Sequence, residues 1–358
     1  MNATVLFAGA GGSSLGLEQA GYRTVGYEYW KPAADTHNAN GMTCRIHDLS
    51  VQPLDTMFLP CDLLWASPPC QPFSAAGDGE GEFDDRDGFP WTLRIIARLL
   101  PPVVIIENVK GLTFAKHHAY LAGILASLRE LGYAVEWRVL NSADYGVPQT
   151  RERCFIVCRR DGGPITWPMP THTEHAGMFT ESWVTMAAAL GWGEDVLGVQ
   201  KLMGSGMVER HGERPIRQTD EPAFSVRAQG GGRDPGGFVK MVLNYRQTDR
   251  DGEPITCDVT DRPSPTVGTK SYGQWVFTRP ATTINGDVTD RPAPTVGTQS
   301  GSQWIVNDAI RLTIAELARL QDFPDHYEWC GTKTDQARQI GNAVPPTMAR
   351  VLAEVNRP

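Results

Sequence analysis

The stretch ASPPCQPFS, Ala66 to Ser74, sets a single cysteine, Cys70, between a pair of prolines and a Gln-Pro-Phe. The thiolate is the nucleophilic form of cysteine, and a nearby base is its usual activator. No histidine lies within twenty residues of Cys70 on either side. By itself the residue reads two ways. It is either a small core side chain held in a rigid turn, or a nucleophile whose activation comes from elsewhere in the chain.

A second constellation lies near the N-terminus. FAGAGGSSLG follows a strand-like run and opens a helix, where a glycine loop lets backbone approach a nucleotide-like ligand. Gly9, Gly11 and Gly12 fit that role, but Ser14 stands at the third glycine of the dinucleotide fingerprint, which argues against a nicotinamide or flavin ligand. Glu28 follows nineteen residues after Gly9, where an acid would bind ribose hydroxyls, and Asp48 in IHDLS could accept from an adenine amino group. Each feature alone also suits a tightly packed loop. Taken in order they favour an adenosyl ligand.

The elements that must position these residues alternate over the first 160 positions. ATVLFAG, RTVGYEY, DLLWASPP, VVIIENV, AVEWRVLN and RCFIVCRR read as strands. SSLGLEQAG, WTLRIIARLL and YLAGILASLRELG read as helices closed by Gly21, Pro101-Pro102 and Gly132. Apolar strands separated by helices predict an α/β fold, a doubly wound and mostly parallel sheet covered on both faces. Cys154 and Cys158, four apart in RCFIVCRR, would share a strand face as packing residues.

From about Pro164 the texture turns to Gly, Pro, Thr and Arg. DVTDRPSPTVGT (Asp258 to Thr269) recurs as DVTDRPAPTVGT (Asp287 to Thr298), and a weaker echo, TDEPAFSV, begins at Thr219. Two good copies are too few for a solenoid; they read as similar strand-turn units of one β-rich insertion, or as a duplicated structural brace. Helical signals resume with the capping box Thr313 to Glu316, and GNAVPPTMARVLAEVN reads as a turn before a last amphipathic helix. The expected division is 1–163, an inserted 164–306, and 307–358 completing the first domain.

Bulk properties bound the reading. The 358 residues are 41% hydrophobic and 21% charged, the balance of a globular protein, with no apolar run of membrane-spanning length and no export signal at the N-terminus. Seven scattered cysteines without a C-x-x-C pair point to a reducing cytoplasm and to no metal site. A net charge of −8 weighs against a nucleic-acid partner, but Lys201 to Arg250 carries nine basic residues against six acidic ones.

At this point the chain resembles the DNA (cytosine-5)-methyltransferases of bacteria and phages. The resemblance rests on LFAGAGGSSLG, YEYW, SPPCQPFS, ENVKG, SADYGVPQTRERCFIV, LTIAELARLQDFPD and QIGNAVPP, which follow the family's linear order. It implies a Rossmann-like S-adenosylmethionine-dependent methyltransferase fold with the insertion as target-recognition domain. It implies that Cys70 adds to C6 of a flipped-out cytosine, that Glu107 acts near N3, and that Arg153 acts near O2 with Arg151 supporting the site. Around the cofactor it implies Phe7, Gly9, Gly11, Gly12, Glu28, Tyr29, Asp48, Leu49, Pro69 and Val344, with Asn342 near the methionine moiety. The implied partners are double-stranded DNA and a cognate restriction endonuclease, with a monomeric, cytoplasmic, nucleoid-associated protein and no membrane.

Two alternatives stay open at this level: the same chemistry on RNA cytosine, and a non-catalytic DNA-binding regulator. The family's DNA-closing loop corresponds here to AAGDGEGEFDDRDG, whose stretch Asp78 to Asp87 holds six acids and one arginine. That charge is expected to weaken DNA affinity or to make closure depend on Mg²⁺ or salt.

Overall fold

The computed structural model describes residues 1–51, 58, 60–69, 87–191, 196–201, 217–218, 222–224, 238–242, 309–311 and 313–358. Cys70, the acidic stretch up to Arg86 and both good copies of the repeat lie outside the described residues.

The chain packs as two units, one of Met1–Gly191, Asp220–Gly236 and Thr313–Pro358, the other of Trp192–Thr219 and Gly237–Leu312. The first unit begins with β1 (Asn2–Leu6), α1 (Gly12–Gln19), β2 (Arg23–Glu28), α2 (Lys31–Ala39), β3 (Thr43–Ile46) and β4 (Leu63–Ala66). It continues through α3 (Phe89–Leu99), β5 (Val103–Val109), α4 (His118–Glu130), β6 (Ala134–Asn141), the short β7 (Gln149–Thr150) and β8 (Glu152–Arg159). Seven strands form one sheet in the order β3-β2-β1-β4-β5-β8-β6. All neighbours pair in parallel except β8, which runs antiparallel to both β5 and β6. The doubly wound, mostly parallel α/β sheet expected from the sequence is therefore present.

Alternation along the central strands splits the core into two layers. Leu64, Ile106 and Ile156 pack with Ile95 and Ile96 of α3 and with Leu121, Ile124 and Leu128 of α4. Cys154 and Cys158 are buried in that same layer, as packing residues of one strand face.

β9 (His172–Thr173), β10 (Glu181–Ser182) and α5 (Met186–Leu190) follow in the first unit. In the second unit β11 (Val196–Lys201), β12 (Arg217–Gln218), β14 (Phe238–Val242) and β15 (Ala309–Arg311) form an antiparallel four-stranded sheet, ordered β12-β11-β14-β15. Between them in sequence, β13 (Ala223–Phe224) pairs in parallel with β7 of the first unit's core. Of the weak repeat echo, Ala223 and Phe224 thus pair within the first unit and not with the second sheet.

Three helices close the chain: α6 (Ile314–Leu320), α7 (Lys333–Asn342) and α8 (Pro346–Val355). The capping box at Thr313 and Glu316 forms as read. A second, Thr332 with Asp335, starts α7, so Gly341 and Asn342 end a helix where the sequence reading had a turn. Met348, Ala349 and Leu352 of α8 pack with Leu17 of α1 against Val5, Trp65, Ile105 and Val157, forming the second core layer. Among the described residues no helix is long and apolar enough to cross a membrane.

Candidate active site

The strand reading through Gly9 is too long: β1 stops at Leu6, and Phe7 turns the chain with φ of +55°. Gly9 (φ +54°) and Gly11 (φ +98°) carry the loop on into α1, and both conformations suit glycine best. A side chain on Gly9 would meet nothing within 4 Å, whereas one on Gly12 would stand 2.2 Å from the Val344 carbonyl oxygen. The loop is thus open beside Gly9 and sealed at Gly12 by the C-terminal segment.

Glu28 ends β2 and is 8% exposed. Its Oε2 accepts the Gly9 amide at 2.9 Å and its Oε1 the Trp30 amide at 2.9 Å. Burial pushes its carboxyl above the usual range, opposed by those amides, that of Tyr29, and the charge of Arg338. Tyr29, the next residue, is 60% exposed. Asp48 is exposed; Ser50 donates to it from backbone (2.9 Å) and hydroxyl (2.6 Å), which lowers its pKa, and Leu49 behind it is buried.

Glu107, Arg153 and the proline pair ahead of Cys70 converge at the carboxyl edge of the parallel strands. Arg153 Nε stands 3.1 Å from Glu107 Oε1, with the two side chains 14% and 10% exposed. The next residue, Asn108, is 2% exposed and donates from Nδ2 to the Pro68 carbonyl at 3.2 Å, while its Oδ1 accepts the Val109 amide. ENV is thereby tied to the two prolines that precede Cys70. A side chain on Gly88 would stand 2.6 Å from Pro69, 2.9 Å from Pro68 and 3.0 Å from Phe7. The glycine-loop residue Phe7, the proline pair and the start of α3 therefore meet at one point. Asp87, the last residue of the acidic stretch, is buried there; it caps the Phe89 amide at 3.0 Å and accepts from the Tyr120 hydroxyl.

Arg151 has a different placement from Arg153. It is 2% exposed, and its Nη2 donates to the carbonyls of Gly341 (3.2 Å) and Ala343 (3.0 Å). Gln149 Nε2 donates to Gln321 Oε1 (2.7 Å) and to the Leu320 carbonyl (2.8 Å), and Gln321 Nε2 to the Ala343 carbonyl (2.5 Å). This buried polar cluster fixes the strand that carries Arg153 to the segment that seals Gly12. Asn342 ends α7 as an exposed residue, and Val344 is buried. Among the described residues no hydrogen bond or ion pair joins Asp48 or Asn342 to the Glu107–Arg153 pair.

Sequence reasoning did not single out Asn108, Gln149 or Gln321. The first sits in ENV and the others in PQTRER and ARLQDF, so their segments were marked but not their buried amides. Burial pushes the thiols of Cys44 and Cys154 up to about 12 and raises those of Cys61 and Cys158. These four are held as thiols, unsuited to nucleophilic work.

The model of the C-5 cytosine-specific DNA methylase family matches residues 1–356. The type II methyltransferase M.AplI of Arthrospira platensis is 30% identical over 353 residues, 98% of this chain and 83% of that protein. M1.HphI of Haemophilus parahaemolyticus is 30% identical over 361 residues, covering 98% and 84%. Among solved structures, the Dnmt2 methyltransferase of S. pombe superposes with a TM-score of 0.60 at 17% identity, covering 99% of this chain and 97% of that one. The Entamoeba histolytica methyltransferase EhMeth gives 0.59 at 15%, over 99% and 97%. At those identities the structures speak for the fold alone. With the family model spanning nearly every residue, the chain belongs to the C-5 cytosine-specific DNA methylases and is a DNA (cytosine-5)-methyltransferase.

Proposed function

We propose that the protein methylates C5 of a flipped-out cytosine in a specific double-stranded DNA sequence, with S-adenosylmethionine as methyl donor and Cys70 as nucleophile. The observation that carries this reading is the Glu107–Arg153 pair at 3.1 Å, tied through Asn108 to the proline pair just ahead of Cys70. Cytosine C5 is a weak nucleophile. A bond from the Cys70 sulfur to C6 pushes electron density into the ring, making C5 enolate-like. Glu107 as acid at N3 and Arg153 as cation at O2 take up that density. C5 would then take up the methyl group, and loss of the C5 proton to a water-derived base, with expulsion of the thiolate from C6, restores the aromatic ring and frees Cys70. Extrusion of the base costs a few kcal/mol of stacking and pairing.

The residues around the glycine loop fit an adenosyl ligand. Gly9 faces open space, the Glu28 carboxylate is fixed by two amides with acceptor capacity left for ribose hydroxyls, and the exposed Tyr29 ring can stack on a purine. Phe7, Gly11, Gly12, Leu49 and Pro69 would wall that site, with Asp48 toward the adenine and Asn342 and Val344 toward the methionine end. When bound, S-adenosylmethionine supplies an electrophilic methyl group on a positive sulfonium. That charge also favours a thiolate at Cys70, which accounts for the missing histidine.

In this reading the second unit reads the target sequence, Arg151 braces the site, and the protein works as a cytoplasmic monomer; the type II names of its relatives support pairing it with a cognate restriction endonuclease. Bisulfite sequencing of plasmid DNA from cells expressing the protein tests reaction and target together. New 5-methylcytosine in one sequence context, absent with Cys70→Ala, is the expected result. Folded protein giving none would overturn the reading, and tRNA methylated in preference to duplex DNA would redirect it.

A further inference from the structure

The Ala10–Gly11 peptide is held at both ends. Its N–H, from Gly11, donates to the Ala8 carbonyl at 3.1 Å, and its carbonyl, from Ala10, accepts from the hydroxyl of Tyr327. Gly11 has no Cβ and a φ of +98°, so this peptide plane could turn over at little steric cost if either bond were missing. Tyr327 lies 317 positions away in sequence and is buried at 6% exposure. A side chain on Gly11 would stand 2.8 Å from its hydroxyl oxygen, 2.7 Å from Met42 Cε and 3.2 Å from His37 Cγ. The phenol thus presses on the loop from behind while Gly9 faces open space.

The segment that delivers Tyr327 is itself anchored. Its ring packs with Phe323 and Trp329 at centroid distances of 4.7 and 5.1 Å. Glu328 exchanges two hydrogen bonds with Asn40, each 2.9 Å, and the Cys330 amide donates to Thr36 Oγ1 at 2.8 Å. Burial raises the phenol's pKa, which keeps it a donor throughout the working pH range.

We propose that Tyr327 is a positioning residue for the cofactor half of the site, its hydroxyl setting the orientation of the Ala10–Gly11 peptide and hence the shape of the loop that receives the adenosyl ligand. This rests on the reading of the glycine loop as the S-adenosylmethionine site. Residues 323–330, remote in sequence from the loop, are then part of the cofactor-binding machinery.

Tyr327→Phe keeps the ring and removes the hydrogen bond. Calorimetric titration with S-adenosylhomocysteine should show Kd raised roughly three- to tenfold, the range expected for one hydrogen bond. The KM for S-adenosylmethionine should rise in parallel, while kcat at saturating cofactor and Kd for DNA stay within twofold. A purely structural tyrosine would lower Tm without that split. Unchanged Kd in a folded variant, or equal losses toward DNA and cofactor, would overturn the proposal. Failure of the wild-type protein to bind S-adenosylhomocysteine would instead refute the cofactor reading. If the variant does not fold, hydrogen exchange on the wild type decides. Protection by S-adenosylhomocysteine in both 7–12 and 323–330 is expected, and protection confined to 7–12 counts against it.

Discussion

Glu107 and Arg153 meet diagonally across the β5–β8 pair. The residues directly opposite them are Phe155 and Val109, so the ion pair spans one two-residue step on a shared face of the ladder. Neither charge has another carboxylate or guanidinium at salt-bridge distance among the described residues.

The pair is nearly buried, so removing one partner strands the other. Arg153→Ala should cost about 3 kcal/mol of stability at the lower end of measured buried pairs, and abolish methylation. Glu107→Gln keeps shape and hydrogen bonding but loses the acid; activity should drop at least about a hundredfold, the scale of acid–base assistance. Thermal unfolding and a labelled-methyl assay on both variants separate the two effects. Glu107→Gln with near-normal turnover would remove Glu107 from the chemistry.

Asn108 predicts a different signature. Asn108→Ala leaves the Pro68 carbonyl without its donor, at a cost of roughly 1–3 kcal/mol. The ion pair next to it is untouched. Turnover should fall by one to two orders of magnitude, as expected when a reacting group is misplaced by about an ångström, while Kd for S-adenosylhomocysteine changes less than twofold. Stopped-flow turnover alongside calorimetry reads both numbers.

Cofactor affinity should depend on pH through Glu28. Its carboxyl is raised from the ordinary 4.5, so acidification protonates it earlier than an exposed glutamate. In the free protein the sign runs the other way from a salt-bridged acid: the folded state holds the proton more tightly, so the buried charge is a cost at neutral pH that acid relieves. Ribose hydroxyls need the ionised acceptor. Kd for S-adenosylhomocysteine should therefore rise as pH falls through this raised value, and Glu28→Gln should bind weakly with a flat profile. Titrations from pH 7.5 down to 5 check it.

His37 sets a stability window. It is fully buried on α2 behind the glycine loop, its ring 2.7 Å from where a Cβ on Gly26 would stand. Burial lowers its pKa from 6.5 to about 4, with the Gly9 carbonyl opposing. The unfolded chain binds the proton more readily, so stability is lost as pH falls from about 6.5 toward 4, by roughly 3 kcal/mol in total. His37→Phe should flatten the Tm profile over that range; an unaltered slope in the variant would assign it elsewhere.

Much of this was readable from local sequence. Val103 to Ile106 are wholly apolar because their strand is covered on both faces, and all four are fully buried. Thr313 and Glu316 announce their helix four residues at a time. Thr332 and Asp335 carry the same type of signal and could have been read as a second cap. α2 was missed because Thr36 and His37, both fully buried, do not look like a core face. The partners of Arg151, Gln321 and Tyr327 are tertiary, at separations of up to 317 residues, and no periodicity reports them. Arg151 and Arg153 look alike in QTRER, yet one holds backbone carbonyls in the interior and the other pairs with Glu107.

The single reversed strand of the sheet has a geometric consequence. Because β8 runs against β5, its first residues lie beside the last residues of β5: Arg153 is opposite Val109 and Arg159 opposite Val103. Had β8 run parallel, Arg153 would fall near Val103, six residues back. At about 3.3 Å per residue that is roughly 20 Å from the edge where Glu107 and the prolines converge. The antiparallel turn in an otherwise parallel sheet folds an incoming strand's start onto outgoing strands' ends, so acid and cation are delivered to one rim by chain direction alone.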